Sequence, residues 1–246
     1  KIASSYWELG NYKQAQFYYN IILEYDEFQN GEIFYYLGFI ANQNQEYNLA
    51  YDYFLYAKEC GYSSILLYKQ LSFSLLQIQE YDQLIPLLHE GLYYNPDNYN
   101  LLYDLAFSYY HLELYDEAIE IFKQYFLRNN NDLTAAYLMG VSYFKTTKYK
   151  SALYYLNLAN NNSDSEILYY LGSSHYELQN YSKAIRAFKK SLIINPKNEY
   201  TIYALGQTYI ESDNKRDSKR QLKALMNLNT DLFELLKISY DAKFIN

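Results

Sequence analysis

Apolar residues recur along this chain at helical spacing, in runs separated by short polar stretches. Leu102, Leu105, Ala106 and Tyr109 hold one such face, and Ala118, Ile119, Phe122 and Phe126 hold the next. Short polar turns such as Gln45-Glu46 and Gln179-Asn180 join the two runs of a pair. Longer polar links separate one pair from the next: Asn95-Pro96-Asp97-Asn98, Asn129-Asn130-Asn131-Asp132 and Asn195-Pro196-Lys197-Asn198. Their residue types are those of turns and helix N-caps. The pattern predicts helix hairpins along the chain. With 8 glycines and 3 prolines in 246 residues, the turn residues of an all-β sandwich are missing. No window approaches 18 consecutive apolar residues, so no transmembrane segment is expected.

The hairpins repeat. Tyr12, Tyr47, Tyr81, Tyr115, Tyr149 and Tyr181 are separated by 35, 34, 34, 34 and 32 residues. Three residues after each comes a small or apolar residue: Ala15, Ala50, Leu84, Ala118, Ala152 and Ala184. Four beyond that comes a bulky one: Tyr19, Phe54, Leu88, Phe122, Leu156 and Phe188. Nine residues before the tyrosines lie Ala3, Gly38, Ser72, Ala106, Gly140 and Gly172, small enough for two helix backbones to approach. A seventh unit continues with Gly206, Ser218 and Leu222, and Lys215 replaces its tyrosine.

These positions resemble the signature of the tetratricopeptide repeat family, most fully in the sixth unit. There Leu168, Leu171-Gly172, Tyr181, Ala184, Phe188 and Pro196 fall where the family places its marker residues. The resemblance covers nearly the whole chain. It implies an all-α, right-handed superhelical solenoid of about seven helix-turn-helix repeats, forming a single domain over 1–246. The units are 1–30 (truncated), 31–64, 65–98, 99–132, 133–164, 165–198 and 199–232. Residues 233–246, with Phe233, Leu235, Leu236, Ile238 and Tyr240 but no leucine-glycine pair, read as a helix that caps the last repeat. Lys1 falls at about the sixth position of a unit, so a leader, an anchor or further repeats are expected ahead of it.

Two departures from the family pattern stand out. Pro86 falls inside a second helix, where its ring can disturb the backbone ladder. Unit four has Tyr125 where the family prefers alanine, and unit five has Ala136 where it prefers bulk. The two positions meet across a repeat interface in the family fold, so Tyr125 is expected to fill the space left at Ala136.

The resemblance also implies a groove lined by first helices. Its fifth positions hold Tyr35, Lys69, Tyr103, Tyr137, Tyr169 and Tyr203; its ninth include Phe39, Phe73 and Phe107. The twelfth include Tyr110, Phe144 and Tyr176, and His111 also faces the groove. Such an aromatic ladder offers large contact area at low entropic cost and suits an extended peptide or the apolar face of a partner helix. The competing reading is that some rings only cover neighbouring helices. A clamp for a C-terminal carboxylate, known in the family, is not expected. Lys69 holds a clamp-like position, but Phe73 replaces the asparagine, and Asn100 and Asp104 stand where basic side chains would be needed.

Composition adds two things. Thirty-five tyrosines divide between packing slots, the groove and positions without assignment. The net charge of −7 argues against nucleic acid as partner, because phosphate neutralisation dominates such affinity. Charge is also uneven: residues 1–164 carry a net −10 and residues 165–246 a net +3. Lys183, Arg186, Lys189 and Lys190 lead the basic excess, which reads as a solvated outer face or as a dock for an acidic partner.

Catalytic chemistry is not apparent. His89, His111 and His175 occupy different repeat positions, and His175 sits where sister repeats have tyrosine, which makes it a packing residue. Asp26-Glu27 and Asp116-Glu117 read as turn and helix-start residues. A single cysteine, Cys60, excludes an internal disulfide, and neither a metal motif nor a phosphate-cradling loop occurs, so no cofactor is expected. The expectation is a soluble, non-catalytic scaffold or adaptor with a protein or peptide partner. Its alternative is a structural subunit that uses its convex or terminal faces.

Overall fold

The computed structural model describes residues 1–25, 30–161 and 163–245. Their secondary structure is helical, with fifteen α-helices among the described residues. The chain divides into two compact units, Lys1–Tyr125 and Phe126–Asn246. The first holds α1 (Ile2–Glu8), α2 (Tyr12–Tyr25), α3 (Gly31–Gln43), α4 (Tyr47–Glu59), α5 (Ile65–Ile78), α6 (Tyr81–Tyr94) and α7 (Tyr99–His111), with all but the last residue of α8 (Tyr115–Phe126). The second holds α9 (Leu133–Lys145), α10 (Tyr149–Ala159), α11 (Ser165–Glu177), α12 (Tyr181–Ile194), α13 (Glu199–Glu211), α14 (Lys215–Leu225) and α15 (Thr230–Phe244). In each unit helices pack on their neighbours in sequence, and alternate helices touch: α3 with α5, α5 with α7, α9 with α11, α11 with α13. This is an all-α helical-repeat solenoid.

The same turn closes every hairpin. Two residues before each turn tyrosine the backbone is left-handed: φ is 65° at Gln45, 61° at Gln79, 60° at Glu113, 59° at Thr147 and 59° at Gln179. Gly10 and Asp213 do the same at the first and last turns, at 70° and 58°. The next backbone N–H then reaches back five residues, as from Glu46 to Ala41 O (2.9 Å) and from Lys148 to Tyr143 O (2.9 Å). This is the Schellman arrangement, which satisfies carbonyls that the helix end leaves open.

Between hairpins the polar links cap the next helix. The side chains of Asn98, Asp132 and Asp164 each accept from two backbone N–H groups at the starts of α7, α9 and α11. Asn30, Ser64, Asn198 and Asn229 each accept from one. Pro86 does not break α6, which runs through it for 14 residues, and its ring lies on the exposed side. The pair Asp26-Glu27 lies outside the described residues.

The core is the contact between the two helices of a hairpin. Phe54, Phe122 and Phe188 are fully buried at the bulky position, and Ala50, Ala118 and Ala184 are fully buried one turn before them. Tyr125 is buried as well and lies 5.5 Å, centroid to centroid, from Tyr103. The closing helix begins at Thr230, three residues before the expected start, because Asn229 caps it there. It packs on α13 and α14 through Leu236 and Tyr240, while Leu235 and Ile238 stay exposed.

Candidate functional site

Seven turns of identical backbone set the turn tyrosines in register, and these tyrosines hold up the aromatic ladder. Four of the six pack on a twelfth-position ring of their own repeat: Trp7–Tyr12 at 5.2 Å, Tyr110–Tyr115 at 5.8 Å, Phe144–Tyr149 at 5.6 Å and Tyr176–Tyr181 at 5.9 Å. In the first unit Tyr12, Tyr47 and Tyr81 also meet the ninth-position ring of the next repeat: Tyr12–Phe39 at 6.1 Å, Tyr47–Phe73 at 6.0 Å and Tyr81–Phe107 at 6.2 Å. Tilted and edge-on ring pairs at such distances are attractive beyond the area they bury. Turn tyrosines and groove rings therefore pack on one another within each unit.

Exposure separates the candidate residues. In the first unit Tyr35 is only 8 % exposed; it stacks on Tyr62 at 4.9 Å and packs on Phe54, so it belongs to the core. Phe73, at 44 %, is exposed, and Phe39, Lys69, Tyr103, Phe107 and Tyr110 are half-buried. His111 is exposed, parallel to Tyr81 at 4.8 Å and 4.3 Å from Phe107. Its partial burial among these rings holds the imidazole below its ordinary pKa.

In the second unit the candidates converge. Phe144, Tyr169, Tyr176 and Tyr203 line one pocket of about 330 Å³, with Ser173, Glu177 and Gln207 between them. The pocket lies along α11, between the C-terminal end of α9 and the face of α13, with the edge of Phe188 as its floor. Gln207 donates through Nε2 to the Tyr203 hydroxyl (2.8 Å) and to Ser239 Oγ on α15 (3.0 Å), so the closing helix helps to fix a wall. Tyr169 also lines a second pocket of about 540 Å³ toward the N-terminal end of α11, with Tyr170, Tyr200, Glu166 and Lys145. Tyr137 packs on Tyr170 at 6.4 Å and Phe144 on the same ring at 5.4 Å.

The pocket is lined by one carboxylate, Glu177, and by no cation. Burial pushes the Tyr176 hydroxyl up to about 12, and Glu211 and Glu177 add to the effect. Burial raises Tyr169 in the same direction. The phenols are therefore neutral hydrogen-bonding groups near pH 7, the carboxylate of Glu177 is the formal charge on the wall, and no lysine or arginine lines this pocket. Ser173, Glu177 and Gln207 were not among the candidates. They occupy the ninth and thirteenth positions of their repeats, so the register that picked out the rings locates them too.

Among the described residues no cluster of three His, Cys, Asp or Glu side chains could hold a metal, and no helix is long and apolar enough to cross a membrane.

Comparison with known proteins addresses the repeat. Residues 1–64 and 165–198 match two tetratricopeptide repeat families, and residues 87–159 match the family described as anaphase-promoting complex, cyclosome, subunit 3. No curated protein matches the chain by sequence. Among solved structures, YrrB, described as a tetratricopeptide repeat protein with an unusual peptide-binding site, is similar with a TM-score of 0.67 at 21% identity, over 75% of this chain and 97% of its own. MamA from Desulfovibrio magneticus RS-1 gives 0.63 at 21% identity over 68% and 96%. A further MamA crystal structure gives 0.62 at 22% over 66% and 90%. These likenesses concern the fold. With repeats matched over residues 1–64 and 165–198 and the same hairpin turn closing every pair of helices, the chain belongs to the tetratricopeptide repeat family.

Proposed function

We propose that this chain is a non-catalytic interaction scaffold that holds a peptide or protein segment in the aromatic groove along α9, α11 and α13. The observation that carries the reading is the pair of adjoining pockets that share Tyr169 as a common wall. Two pockets in line fit an extended segment with successive side chains better than a single small molecule. Half-buried tyrosine rings give contact area without loss of many rotamers, and their neutral hydroxyls can pair with a peptide backbone. The wall carboxylate Glu177, with no lysine or arginine lining the same pocket, favours a neutral or basic side chain over an acidic one. YrrB, whose description includes a peptide-binding site, is a precedent on the same fold. The family is typically one of interaction modules rather than enzymes.

The second reading, a structural subunit that binds through other faces, draws support from the match of residues 87–159 to a family named for a subunit of a large complex. Peptides selected from a random library on the intact protein separate the two. Tyr176→Ala with Tyr203→Ala should weaken a selected peptide at least roughly tenfold, about 1.4 kcal/mol, with little change in melting. A large loss of stability with binding intact would assign these rings to packing alone.

A further inference from the structure

A second pocket in the Phe126–Asn246 unit lies away from the groove, among α10, α11 and α12, and has the opposite chemistry. It measures about 320 Å³, and Lys183, Arg186 and Lys190 of α12 line it with His175 of α11 and Asn157 and Asn160 at the end of α10. Leu168, Leu171 and Ala187 form its apolar floor, and no carboxylate is among its lining residues.

Position explains the gathering of charge. Lys183, Arg186 and Lys190 are spaced three and four residues apart, which places them on one face of α12 over successive turns. Like charges at that spacing repel, and among the described residues neither Lys183 nor Arg186 forms an ion pair. His175 occupies a slot that holds tyrosine in sister repeats. There Tyr143 stacks on Tyr155 at 5.4 Å, and Tyr109 meets His89 Nε2 at 2.9 Å. His175 has no such partner: its Nδ1 is buried without a hydrogen bond. A buried ring nitrogen without a partner is less costly as an acceptor than as a donor, which keeps the proton on the other nitrogen. Nε2–H is then the group that can meet a ligand. Burial, together with Lys183 and Arg186, holds the imidazole below its ordinary pKa, which fits a neutral ring in a positive field.

We propose that this pocket binds a phosphate monoester dianion, held by Lys183, Arg186 and Lys190 with a hydrogen bond from His175. Lys183 and Arg186, neither in an ion pair among the described residues, call for more than one negative charge, and the guanidinium fork matches two oxygens of a tetrahedral oxyanion. The apolar floor and the volume leave room for the group that bears the ester. A solvated charged face explains the three basic residues, but not the pocket they share with His175. The site is independent of the groove, since no residue lines both pockets.

The chain has three histidines, so the imidazole nitrogen signals of a labelled intact protein can be assigned by substitution. Inorganic phosphate, a phosphoserine peptide and the same peptide without phosphate are titrated at constant ionic strength. The expected result is a saturable shift of the His175 signals by a phosphorylated ligand, weakened at least roughly tenfold in Lys183→Gln with Arg186→Gln. Both residues are exposed, so the fold should tolerate the change, and melting checks it. Tighter binding of the phosphopeptide than of inorganic phosphate identifies a phosphorylated partner; equal binding identifies free phosphate as sufficient. A His175 signal that neither ligand moves, or that moves equally in the double variant, overturns the proposal.

Discussion

Phe188 lies against Gly172 so closely that a β-carbon on the glycine would come within 2.6 Å of the ring's Cε1. The same approach recurs between Gly38 and Phe54 at 2.6 Å and between Gly140 and Leu156 at 2.7 Å. In the last repeat the neighbour changes: a β-carbon on Gly206 would meet Leu236 of α15 at 2.5 Å. The closing helix thus plugs the slot that the second helix of a hairpin fills elsewhere.

From this contact follows a size limit. Gly172→Val should destabilise the Phe126–Asn246 unit by about 2–3 kcal/mol, read as a lower denaturant midpoint, because overpacking a rigid contact outweighs the gain in helix propensity. Gly172→Ala should also destabilise, though by less than valine, because its β-carbon alone already meets the buried Phe188 ring. Equal midpoints for valine and wild type would show that the ring is free to move.

The hairpin turns yield a prediction of the opposite sign. Thr147 is β-branched and exposed, yet holds φ at 59°. Left-handed backbone is costly for such a residue and free for glycine, while glycine gains entropy in the unfolded chain. The net expectation for Thr147→Gly is a stabilisation of about 0.5–1 kcal/mol. Gly10→Ala, at φ 70°, should lose stability for the same reason. Denaturant titrations of both variants check the pair.

Asp104 supplies a pH dependence. Burial raises its carboxyl above the ordinary range, although the Ser72 hydroxyl donates to it and opposes the shift. Between the unfolded value and the raised folded value, the native state keeps a proton that the unfolded chain has released. Stability therefore falls as pH rises through that window. Asp104→Asn keeps an acceptor for Ser72 and removes the charge, so it should flatten this part of the profile and be at least as stable as wild type near pH 7. Melting curves from pH 4 upward measure it; an unchanged slope would place the titration elsewhere.

Much of this was legible in the sequence because repeats multiply weak signals. A single tyrosine before an alanine says little, but six at spacings of 32 to 35 residues locate six of the seven hairpins. Asn98, Asp132 and Asn198 could be read as caps from residue type and place alone. The register also placed Tyr169, Tyr176 and Tyr203 on one side of α11 and α13, where they share a pocket. It could not show that Tyr35, at the same position as Tyr103 and Tyr169, is drawn into the core by Tyr62 from the following link. Nor could it show that His175 lacks the partner its sister tyrosines have, because that depends on which side chains arrive from α10 and α12. Position within a repeat is local information, and burial is decided by the neighbours.

The central claim is that the pocket lined by Tyr169, Tyr176 and Tyr203 receives a partner segment. Its most direct test replaces Phe144, on the pocket wall, with a photoreactive phenylalanine analogue, and in a separate protein replaces the exposed Tyr154 on α10. Each is irradiated with a peptide selected on the intact wild-type chain. Cross-linking from position 144, absent from 154 and suppressed by excess unlabelled peptide, is the predicted result. Cross-linking from 154 with none from 144 would contradict it and place the partner on the outer helices.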